Sequence, residues 1–109
     1  AFADANAEVT IAQTHAGLAS KQSAIDGVHM HLHHAINCLV GPKGNGFDAS
    51  QANPCAKAGN GAIPDSTDAA QKAKLMEAVA SAKAGIAATD LAAAKADAEK
   101  TTATLASAK

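Results

Sequence analysis

An all-α fold, an antiparallel up-and-down four-helix bundle made of two helical hairpins, follows from three observations on this chain of 109 residues. Alanine dominates the apolar half of the sequence, and alanine has the highest helix propensity of any residue. The β-branched and aromatic residues that strands need are few and scattered, with no Trp, no Tyr and only Phe2 and Phe47. Larger side chains recur at Ile11, His15, Leu18, Gln22, Ile25, His29, Leu32, Ile36 and Leu39, in alternating steps of four and three, which is helical periodicity. The length is that of one domain, residues 1–109.

The first helix is expected at about residues 4–19 and the second at about 23–40. Gly17 and the run Ser20-Lys21-Gln22-Ser23 separate them, and Ser23, with Asp26 three residues on, can cap the second. One continuous helix is the alternative, because the spacing keeps phase through the break. A loop at 41–64 follows, rich in glycine and holding Pro42, Pro54 and Pro64. Its length is unusual in a compact domain and calls for a tether. Cys38 and Cys55 supply one in an oxidising compartment, and a bridge of that span stabilises by about 3 kcal/mol. The third helix is expected at about 66–84, after Pro64 and the capping residues Asp65, Ser66, Thr67 and Asp68. Met76, beside Leu75, reads as core. Gly85 ends that helix and Thr89 opens the last, at about 90–108.

Several functions are disfavoured at once. Nine lysines, no arginine and ten acidic residues give a net charge of -1, so a nucleic-acid partner is not expected. No apolar run approaches the roughly 20 residues of a membrane span. The start Ala1-Phe2-Ala3-Asp4-Ala5 reads as the mature side of a signal-peptidase cut, and with the cysteine pair it points to an exported, periplasmic protein. The segment Gly-Pro-Lys-Gly-Asn-Gly-Phe at 41–47 lacks the ending of a phosphate loop and reads as turns. No nucleophile elbow, zinc-protease signature or dinucleotide fingerprint occurs, and the expectation is a binding protein that is not an enzyme.

The concentrated chemistry is His29-Met30-His31-Leu32-His33-His34. Residues three and four apart share a helix face, so His29/His33 and Met30/His34 are pairs at i,i+4 and His31/His34 a pair at i,i+3. Two neutral imidazoles one turn apart can chelate one metal ion. His29 and His33 are therefore the expected core pair, with His15, His31, His34 and the Met30 thioether in support. If the chain turns near Lys21, His15 faces about residue 28 and converges with His29 and His33. Gln22 and Asp26 lie toward that seam, where Asp26 can orient an imidazole. A continuous helix would instead leave His15 roughly 20 Å from His29, with the pair alone or a site shared across a homodimer. Imidazole beside a thioether suits copper, with nickel and zinc as alternatives. Haem ligated by imidazole or Met30 is a second reading, and a cofactor-free interaction surface that titrates near pH 6.5 is a third.

The stretch His15-Ala16-Gly17-Leu18-Ala19, the run from His29 to Ala35 and the hairpin from Ala84 to Ala98 resemble the small exported metal-binding proteins of proteobacteria, which are alanine-rich, histidine-bearing four-helix bundles. The resemblance implies periplasmic binding of divalent metal, copper foremost, in a role of buffering or carriage.

Overall fold

The computed structural model describes residues 4–109, and Ala1-Phe2-Ala3, where the signal-cleavage reading falls, lies outside them. The described residues form α1 (Ala5–Ser20), α2 (Ile25–Val40), the single turn α3 (Ala62–Asp65), α4 (Ala69–Ala87) and α5 (Leu91–Ala106). None of them is in a strand. The four long helices touch in the cyclic order α1, α2, α4, α5, and α2 also meets α5. That arrangement fits a helical bundle. Among the described residues no helix is long and apolar enough to cross a membrane.

Asp side chains start three of the long helices by accepting from backbone N–H groups that have no carbonyl partner in the first turn. Asp4 accepts from Asn6 and Ala7, Asp68 from Gln71, and Asp90 from Ala93. Three expected boundaries move. α4 begins after Asp68, because Ser66 turns its hydroxyl toward the Gln71 side chain. α5 begins after Asp90 rather than Thr89. α2 starts at Ile25 with Ala24 at its cap and no side-chain bond there, so Ser23 does not cap it.

Gly85 does not end a helix. α4 runs on to Ala87, and a Cβ at Gly85 would lie 2.5 Å from a Leu32 methyl. The missing side chain is what admits Leu32, so this glycine is a packing residue. Alanine does the same elsewhere, since Ala12, Ala16 and Ala19 of α1, Ala78 and Ala82 of α4 and Ala94 and Ala98 of α5 are all fully buried. Larger buried groups, Val28, Leu32 and Leu39 of α2, Leu75 of α4 and Leu105 of α5, fill the centre. Met76 is the exception to expectation, pointing outward with 62 % of its surface exposed.

The 41–64 segment is fastened at several points. Cys38 and Cys55 form the expected disulfide, which packs against the Glu8 carbonyl of α1. Asn37 is fully buried one residue before Cys38. Its amide donates to the carbonyls of Asp48, Gln51 and Ala52, and its oxygen accepts from the Asp48 N–H. These bonds satisfy loop backbone that burial would otherwise leave unpaired. Gly41 and Gly61, at φ 75° and 118°, pass so closely that a Cβ on either would collide with the other strand of the loop.

Glu8 is the fourth fastening. Its side chain is fully buried, and Oε1 accepts from Gly61 N–H at 2.8 Å. Oε2 is enclosed without a conventional donor. Burial, and then the neighbouring Asp65 carboxyl, push the Glu8 pKa up to about 7. Contact with the Asp65 carboxyl thus favours the protonated form of Glu8. In the unfolded chain this carboxyl ionises near its ordinary value of 4.5, so folding is favoured fully below that pH, and this contribution is lost as pH rises to about 7. Glu8→Gln keeps the acceptor and supplies a permanent donor. Thermal melts across pH should show the variant equal to wild type near pH 4 and more stable above pH 7, by about 5 °C or more. Equal melting temperatures at pH 8 would contradict a protonated, clamped Glu8.

Candidate metal centre

α2 carries four of the five histidines, and its geometry divides them. The buried stripe of α2 runs through Val28, Leu32, Ala35, Ile36 and Leu39. At 3.6 residues per turn, His31 and His34 fall on one flank of that stripe and His29 and His33 on the other. α1 packs along one side of α2 and α4 along another, so the two pairs meet different neighbours.

His31 and His34 meet His15 of α1. Each of the three offers a ring nitrogen, and these atoms all lie within 4.8 Å of one another. Ring centroids are 5.4 Å apart for His15 and His34, 5.5 Å for His31 and His34, and 5.8 Å for His15 and His31. All three residues are half-buried, enclosed enough to be held and open enough for an ion to enter. Nδ1 of His15 and Nδ1 of His31 are buried with no hydrogen-bond partner, which is costly unless something else satisfies them.

Burial lowers the pKa of His15, and the nearby His34 and His31 lower it further. The His34 pKa is lowered in the same way, by burial first and then by His31 and His33. Desolvation and repulsion thus favour the neutral form of the His15 and His34 imidazoles. Neutral imidazole is the form that ligates metal.

The expected core pair is placed elsewhere. His29 Nε2 donates to the Ala88 carbonyl at 3.0 Å, serving a residue at the C-terminal cap of α4, where donors complement the exposed carbonyls. His33 Nδ1 lies 3.7 Å from Asp48 of the loop. The Asp48 carboxyl is held below its usual pKa by hydrogen bonds from the Ser50 hydroxyl and backbone N–H, and then by His33. His29 and His33 are therefore ties between elements, and His15 joins His31 and His34 in their place.

Gln22 and Asp26 do not support an imidazole. The Gln22 amide donates to the Leu18 carbonyl and its side chain lies over Gly27, while Asp26 is exposed in the first turn of α2. Met30 is 40 % exposed, one position from His31. Both cysteines are taken by the disulfide, and no free thiol is present to ligate. Asn37 is the residue of consequence that the periodicity did not single out, and its neighbour Cys38 was the available hint.

Comparison with family models, with curated proteins and with solved structures finds no match to this chain.

Unsatisfied nitrogens in a half-buried cluster should cost stability in the metal-free protein. His15→Leu removes one of them and keeps an apolar body of similar reach. The metal-free variant is expected to gain about 1 kcal/mol in urea unfolding. A loss of stability would mean that His15 is a satisfied packing residue.

Proposed function

We propose that this protein binds a divalent transition metal through His15, His31 and His34 and serves to buffer or carry it, as a binding protein and not as an enzyme. The observation that carries the reading is the convergence of three imidazole nitrogens, from two helices, within 4.8 Å of one another. Metal–imidazole bonds of about 2.0–2.1 Å in a tetrahedral site separate ligand nitrogens by about 3.4 Å. Small side-chain rotations within the cluster reach that spacing. Binding would also satisfy the enclosed Nδ1 atoms, or fix which nitrogen of each ring is protonated.

Three imidazoles leave a fourth coordination position for water or for a partner's ligand, which suits an ion that must be handed on. Copper is the first choice because imidazole-rich sites favour it in the affinity order of divalent metals, with nickel and zinc as alternatives. The disulfide supports an oxidising compartment such as the periplasm. An up-and-down antiparallel bundle, with two hairpins joined by the fastened loop, is the topology we infer around the site.

Titration of untagged protein with Cu(II), Ni(II) and Zn(II) tests the reading. Wild type should bind one equivalent with Kd below about 10 μM, and a ligand at 100 times Kd raises stability by about 2.7 kcal/mol. Loss of a ligand in His15→Ala, or in His31→Ala/His34→Ala, should weaken binding at least tenfold. His29→Ala/His33→Ala should leave the affinity within about threefold of wild type while lowering thermal stability, because those rings tie elements together. Binding lost in that last variant alone would overturn the assignment.

A further inference from the structure

On the α4 and loop side of the protein a cleft of about 530 Å³ opens between the end of α2, the turn at residues 43–45, α3 and α4. Its walls include Val40, Ile63, Met76 and Val79, and Lys43 and Lys83 stand at its rim. The volume falls within the range of small-molecule sites. None of the three histidines of the imidazole cluster lines it.

Two features define what would fill it. Met76, Val79 and Lys83 recur at i, i+3 and i+7 on one face of α4, and Met76 is the most exposed of the large apolar side chains among the described residues. An apolar body laid along that face would cover surface that the fold leaves in water. The two lysines have no carboxylate partner within 4.0 Å, since the His33 ring beside Asp48 is the one such contact among the described residues. Lys83 extends alongside the loop at Gly46. Its Cε and Nζ come within 3.3 and 3.4 Å of where a Cβ would stand on Gly46, so the glycine makes room for the ammonium.

We propose that this cleft binds an anionic amphiphile, a small molecule with an apolar body and a carboxylate, the body against Met76 and Val79 and the carboxylate between Lys43 and Lys83. Charge selects against a cationic amphiphile of the same tail. It also opposes a second copy of this chain, because a two-fold contact over this face sets the lysine pair against its own image.

Decanoate and decyltrimethylammonium, which share a tail and differ in charge, are the probes. With methyl-labelled methionine at pH 8, decanoate should shift the Met76 resonance saturably, with Kd below about 1 mM, and leave Met30 unmoved as an internal reference. The cation should bind at least tenfold more weakly. By calorimetry, Lys43→Gln/Lys83→Gln should abolish that tenfold preference, and Met76→Asn should weaken decanoate by about fivefold. These positions lie at the surface, and circular dichroism verifies that the variants fold. No saturable shift, equal affinity for the two probes, or equal shifts at Met30 and Met76 would each overturn the proposal. So would a Met76 shift that follows protein concentration alone, which is the mark of self-association.

Discussion

The four-residue link between α1 and α2 sets the level at which these helices face each other, and with it the level at which His15 meets α2. Reflecting His15 through the centre of residues 21–24 brings it to about residue 30 of α2. His31 stands at that level and His34 one turn beyond. A shorter link, or a continuous helix, would have left His15 alone. Close packing over buried alanines holds the register, since helices that touch with little between them have few ways to slide.

On α2 the core stripe acts as a divider. One flank gives His31 and His34 to α1, and the other gives His29 to the end of α4 and His33 to the loop. The first set includes two enclosed nitrogens without partners, Nδ1 of His15 and Nδ1 of His31; in the second, His29 bonds to Ala88 and His33 lies beside Asp48. That difference sets the candidate site apart from the scaffold, because a fold optimised only for stability has no use for enclosed, unpartnered nitrogens. The scaffold beneath is correspondingly well fastened. Asn37, the Cys38–Cys55 disulfide and Glu8 hold the long segment to α1 and α2 from three directions, which keeps α2 from shifting relative to its neighbours.

Much of the fold could be read from the sequence, because alanine content and step-of-three-and-four spacing report helices directly. The four long helices, the long connection and the cysteine bridge were all visible in that way. The inward face of α1 was not. The large residues Ile11, His15 and Leu18 suggested one line, whereas the buried line is Val9, Ala12, Ala16 and Ala19. In an alanine-rich bundle size does not mark the core, since the smallest side chains sit where helices come closest. Met76 misled for the same reason. The choice between the two histidine pairs had a different origin. Which flank of α2 faces α1 depends on the hand of the bundle, and hydrophobic spacing carries no information about hand. His31 and His34 were candidates from the start, and only the packing of α1 could raise them above His29 and His33.

The most direct test of the central claim is a crystal structure of the zinc-loaded protein with anomalous data collected at the zinc edge. The expected result is one strong peak about 2.0–2.1 Å from a ring nitrogen of each of His15, His31 and His34, with solvent in the remaining position. A peak bound by His29 or His33, or no ordered metal between α1 and α2, would contradict it.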